Sequence, residues 1–202
     1  MKGTELFLLL LLILSCIVIL LSVPHDVDAT TTYVNGDWTI SNRTTLSGGT
    51  WWVNGTIEVR GGVLRLVDAE LVIQTPSGKS CGIFVNDQGQ LYVQGSTVRG
   101  VTRALEIHIQ GRAWFIDSRI SFCDDAWSGG IFYQGFALTL RNCTLENGSR
   151  LLEAYSDFLA ESCSFQDFVY GVYMRGDSGI PIAAIEKKSN PPNSKLSRTL
   201  PN

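Results

Sequence analysis

The feature that most restricts what this chain can fold into is a short pattern that returns five times between Leu64 and Phe165. The segments are Leu64 to Leu71, Leu91 to Val98, Ala113 to Ile120, Leu138 to Leu145 and Phe158 to Phe165, and each reads apolar, any, apolar, any, turn, small, any, apolar. The small residues are Ala69, Ser96, Ser118, Cys143 and Cys163, at intervals of 27, 22, 25 and 20 residues. A constant inner pattern with variable spacing describes a repeated coil whose loops differ in length. The turn position holds Asp68, Gly95, Asp117, Asn142 and Ser162. Glycine and Asx residues tolerate left-handed backbone angles, so one left-handed bend per coil is expected.

A second set of short alternating runs precedes the segments: Ile57 to Val59, Ile83 to Val85, Ile107 to Ile109, Ile131 to Tyr133, Leu152 to Ala154 and Val172 to Met174. Nowhere from Thr30 to Gly176 are apolar residues spaced by three and four over a sustained stretch, which leaves out helices. Glycines at 62, 89, 111 and 135 punctuate the runs, and Pro76 is the only proline in this region. A period in the low twenties, three short strands per turn and no helices resembles the right-handed parallel β-helix of the pectate-lyase-like superfamily, over roughly Thr56 to Arg175. The expected fold class is therefore all-β, a right-handed parallel β-helix solenoid of about 5–6 coils with three short strands per coil. At about 4.8 Å per coil the rod core is on the order of 25 Å long, and no single coil would be stable alone.

Both ends of such a rod need covering. Residues 30–55, with Trp38, Trp51 and Trp52, are expected as the N-terminal cap, and residues 56–176 as the coils. Residues 177–202 hold four of the six prolines and no aromatic residue. They are expected as a disordered tail or as the cut end of a longer solenoid.

Ahead of the repeat lies an apolar block, Phe7 to Val23, then Pro24 and Val27-Asp28-Ala29. That order fits a signal peptide spanning residues 1–29 with cleavage after Ala29; a membrane anchor is the alternative, because the block is just long enough for a thinned bilayer. Either way the chain is expected to be secreted or at the cell surface, with membrane contact only through this segment if it is uncleaved. Four Asn-x-Ser/Thr sites, at Asn42, Asn54, Asn142 and Asn147, suit export as glycosylation candidates.

Charge narrows the partners. The chain has 16 basic and 19 acidic residues, a net of -3, and losing Lys2, Glu5, Asp26 and Asp28 with the leader leaves -1. No basic field is present to draw in nucleic acid. No Cys-x-x-Cys exists and His108 is the one histidine after the leader, so neither a metal nor a cofactor is expected. Cys143 and Cys163 share the small inward position on neighbouring coils and are read as two buried thiols, because parallel side chains suit a disulfide poorly. Cys81 and Cys123 are placed in loops that would pair if they lean together.

Outward positions carry the functional expectations. Alternation aligns Glu58, Phe84, His108, Phe132, Glu153 and Tyr173 on one face, and Phe84, His108, Phe132 and Tyr173 are the candidate ligand surface on which sugar rings would stack. For catalysis, Glu106 and His108 share a face as a proton-transfer pair. Asp124-Asp125 resembles the paired aspartates of polygalacturonase-like glycosidases, where one carboxyl protonates the glycosidic oxygen and another activates water. The third aspartate, the Gly-His-Gly and the Arg-x-Lys of that family are missing. The function expected is a non-catalytic carbohydrate or envelope-polymer binding module, or a structural one, with a polysaccharide lyase or glycosidase as the alternative. Its expected partner is a polysaccharide or envelope glycan.

Overall fold

The computed structural model describes residues 30–74, 81–101, 105–122 and 129–174. The expectations placed on residues 1–29, including the cleavage after Ala29, and on the tail 177–202 lie outside the described residues. Twenty strands follow one another, and no helix occurs among the described residues. The first nine are β1 (Thr31–Asn35), β2 (Trp38–Ile40), β3 (Arg43–Ser47), β4 (Thr50–Asn54), β5 (Ile57–Val59), β6 (Val63–Val67), β7 (Glu70–Gln74), β8 (Cys81–Val85) and β9 (Gln90–Gln94). Next come β10 (Thr97–Val101), β11 (Leu105–Ile109), β12 (Arg112–Ile116), β13 (Arg119–Ser121), β14 (Gly130–Tyr133) and β15 (Ala137–Arg141). The last are β16 (Thr144–Gly148), β17 (Leu152–Ala154), β18 (Leu159–Glu161), β19 (Ser164–Phe168) and β20 (Val172–Met174).

Every third strand falls in the same sheet. The first sheet is β1-β4-β7-β10-β13-β16-β19, the second β2-β5-β8-β11-β14-β17-β20, and the third holds β3, β6, β9, β12, β15 and β18. Each neighbouring pair is parallel. The molecule is thus a parallel solenoid of six complete coils, with β19 and β20 beginning a seventh. All six short runs read from the sequence are present as strands of the second sheet.

Residues 30–55, expected as the N-terminal cap, are themselves built of coil strands. They form the first coil and enter the second, with β1 in full register on β4 and β3 on β6. The coil is hard to see in the sequence because its turn is Gly48-Gly49, at φ 61° and 64°, and because Thr44 stands in the inward column that holds Leu64 and Leu91 in the next coils. Cys81 also departs from expectation: it opens β8 opposite Leu105 and is not a loop residue. Cys123 lies outside the described residues.

Packing follows from period-two alternation on stacked strands. Leu46, Leu66, Val93, Phe115, Leu140 and Ala160 form one inward column, and Ile57, Ile83, Ile107, Ile131, Leu152 and Val172 another. All are buried, and each large member contributes about 1.5–3 kcal/mol of transfer free energy.

Each coil has three corners, and two of them show different requirements. Between the third and first sheets the chain bends through Asp68, Gly95, Asp117, Asn142 and Ser162, at φ 49°, 57°, 50°, 52° and 52°. The residue after the bend is small and does more than fit. Ser96 Oγ donates to Gln94 O at 2.7 Å and accepts from Ala69 N, while Ser118 Oγ donates to Ile116 O at 2.7 Å and accepts from Ser96 N. Cys143 Sγ donates to Arg141 O and Cys163 Sγ to Glu161 O in the same way. At the corner between the second and third sheets the need is space. A Cβ on Gly111 would stand 2.2 Å from Gly89 O, and one on Gly135 2.3 Å from Gly111 O.

Candidate functional site

The second sheet places the expected ladder in register. Glu58 stands opposite Phe84, Phe84 opposite His108, His108 opposite Phe132, Phe132 opposite Glu153, and Glu153 opposite Tyr173. The His108 ring is sandwiched between Phe84 and Phe132, 4.8 Å from each centroid and tilted by 15°. These rings lean toward the start of their strands. A Cβ on Gly82 would stand 3.0 Å from Phe84 Cε2, so glycine there makes room for the ring.

The stacked faces bear on the role proposed for them. A sugar ring stacks on an aromatic face, but here Phe84, His108 and Phe132 spend faces on one another and all three are half-buried. The ladder's main contribution is to pin three coils together, with aromatic pairs worth about 0.5–1.5 kcal/mol each beyond area. Tyr173 is separated from the stack by Glu153 and lies under the Arg150 guanidinium, 5.7 Å from its ring centroid.

The Glu106–His108 pair also forms: His108 Nε2 donates to Glu106 Oε2 across 3.0 Å. Glu153, which the sequence puts on the open face, is instead buried, receiving Arg150 Nη1 at 2.6 Å and Tyr155 Oη at 2.7 Å. Asp124 and Asp125 lie outside the described residues, so the structure does not place them against this pair. On the first sheet Arg99 meets Glu70 at 2.7 Å and Arg119 meets Glu146 at 2.7 Å, which makes both arginines ion-pair partners. Among the described residues no group of three or more His, Cys, Asp or Glu side chains gathers to hold a metal.

The glycosylation candidates divide in two. Asn42, Asn54 and Asn142 are exposed and Asn147 is half-buried. Asn142 Nδ2 donates to Asp117 Oδ1 at 2.7 Å and Asn147 Nδ2 to Ser121 Oγ at 3.1 Å, so these two amides already tie coils together.

One feature the sequence reading passed over lies at the corner of the second and third sheets. Asp87, Gln88, Gly89, Gln90, Arg112 and Phe136 line a cleft of about 230 Å³, with Phe136 71% exposed. Phe136 follows the cramped Gly135, and the chain there is held by Phe136 N to Gly111 O and Arg112 N to Gly89 O. The signal was present: an aromatic residue directly after a corner glycine, where the coil before carries Arg112 and the one before that Gln90.

A family profile described as the right handed beta helix region matches residues 73–187, more than half of the 202 residues. The chain belongs to the right-handed β-helix family. Comparison with curated proteins and with solved structures gives no significant match. Membership of the β-helix family establishes the fold and the handedness of its coils, and the chemistry of this β-helix has to be argued from its own surface.

Proposed function

We propose that the chain is an exported, non-catalytic β-helix module that binds a polysaccharide or envelope glycan along the corner between its second and third sheets. The observation that carries this is the Phe136 cleft. An exposed aromatic ring offers the apolar face that covers the C–H side of a pyranose, and a carboxylate, two amides and a guanidinium beside it match ring hydroxyls as acceptors and donors. The apolar block 7–23 ending in Val27-Asp28-Ala29 supports export. A surface near neutrality fits a ligand held by stacking and hydrogen bonds instead of long-range charge.

A polysaccharide array read by both retention and mass separates binding from cleavage. The expected result is retention of one glycan class with no change in its mass, weakened about tenfold by Phe136→Ala, a loss of about 1.4 kcal/mol. Cleaved products would put the Glu106–His108 pair forward as machinery, and retention unaffected by Phe136→Ala would remove the cleft from the reading.

A further inference from the structure

Cys143 and Cys163 occupy equivalent points on consecutive coils, bracketed by the pairs Arg141↔Glu161 and Thr144↔Ser164. Each is 2% exposed, and neither is in a disulfide. Their side chains are oriented alike, each sulfur donating to the carbonyl two residues before it, at 3.2 Å for Cys143 and 3.3 Å for Cys163. Like orientation on stacked strands separates the two sulfurs by no more than roughly one coil spacing, about 4.8 Å. A disulfide requires about 2.05 Å between sulfurs and about 3.5–4.5 Å between Cβ atoms, so reaching it would draw parallel Cβ atoms closer than one coil spacing and turn both sulfurs away from the carbonyls they donate to.

A linear sulfur–cation–sulfur bridge needs far less movement. Two thiolate–metal bonds of about 2.3 Å span about 4.6 Å, close to the coil spacing. We infer that Cys143 and Cys163 form an inter-coil site for a thiophilic cation that accepts two-coordinate, linear thiolate ligation. Sulfur softness selects such cations over calcium or magnesium. The lack, among the described residues, of any cluster of three ligands disfavours ions that demand four, as structural zinc does. Binding displaces the two thiol protons: with a mercuric ion, two S–H bonds break, two S–Hg bonds form, two protons leave and the buried product is neutral. With a cuprous ion two S–H bonds break, two S–Cu bonds form, two protons leave and one negative charge stays on the buried pair. Entry does not require the whole rod to open, because β19, which follows Cys163 directly, is the last strand of its sheet among the described residues.

The test uses the full chain with Cys16, Cys81 and Cys123 changed to Ser, so that only the pair remains, titrated with mercuric ion in the absence of competing thiols. The expected result is one ion per chain, a sulfur-to-mercury charge-transfer absorption and a raised melting temperature. Cys143→Ser in this background keeps a donor in the turn, so the fold persists by circular dichroism while affinity falls at least a hundredfold. Two ions per chain, affinity unchanged by Cys143→Ser, or air oxidation of the pair to a disulfide with loss of two hydrogens would each overturn the inference.

Discussion

At the residue scale, the serines after two of the left-handed bends, Ser96 and Ser118, are hydrogen-bonding posts. Each side chain donates to its own coil and accepts from the backbone of the preceding coil, so Ser118 holds Ile116 O on one side and Ser96 N on the other. Replacing Ser118 by Ala leaves the buried Ser96 N–H without its acceptor, at a cost of about 1–3 kcal/mol, whereas Cys, which does the same task at positions 143 and 163, retains part of the contact. Urea denaturation is expected to show Ser118→Ala destabilised by about 1–2 kcal/mol and Ser118→Cys by clearly less; equal losses would reduce the position to a volume requirement. The sequence displayed this device incompletely. Ser, Ser, Cys and Cys all carry a polar hydrogen, but Ala69 at the head of the series makes "small" the simplest common property, and only the stacked register reveals the acceptor role. The neighbouring sulfurs also shape each other: contact with Cys143 holds Cys163 below the usual thiol range, at about 7, while contact with Cys163 and then burial push Cys143 up.

At the element scale, strands are joined by outward side chains as well as by their ladders. On the second sheet the coil rise and the ring spacing coincide, and the in-register Phe84, His108 and Phe132 stack face to face. Alternation made the column Phe84–His108–Phe132 legible, but not the consequence that its faces are occupied. Nor did it show Glu153 covered by Arg150 and Tyr155, because the covering residues come from the corner segments on either side of the strand. On the first sheet the ties are ionic. Glu70 on β7 accepts Arg99 Nε from β10 at 2.7 Å and Thr50 Oγ1 from β4 at 2.9 Å, one carboxylate spanning three coils. The Arg99 hydrogen bond lowers its pKa from 4.5 against the opposing effect of partial burial. With the folded value depressed, this contribution to stability is fully present above the unfolded pKa of about 4.5 and is lost as pH falls through the lower folded value. Both partners are more than a third solvated, so salt weakens the tie. Acid titrations of the melting temperature are expected to show Glu70→Gln less stable than the parent at pH 6, with the two converging below pH 4; a constant difference down to the lowest pH would assign the loss to packing instead of ionisation.

At the scale of the whole molecule, each coil of the described residues pairs its strands with the coils before and after it, so stability is approximately a sum of coil and interface contributions. The interior is sealed in the middle and loosens toward the last coil: Ile83, Ile107 and Ile131 are fully buried, whereas Phe165 and Val172 retain 7% and 9% exposure. At the other end Tyr33 on β1 is 69% exposed, and the inward column begins with Thr44 where the next two coils use leucine. Terminal coils also have one neighbour each instead of two, which halves the interface that has to break for them to open. Amide exchange is therefore expected to grade along the axis. Protection should peak in the middle coils, in β9 and β12, which are paired over five residues on both sides, and in β11, paired over five residues with β8 and four with β14, and fall by at least a hundredfold toward β1 to β3 and toward β19 and β20. Equal protection from β1 to β20 would show that the rod unfolds as one unit, and that a constraint other than nearest-neighbour stacking couples its ends.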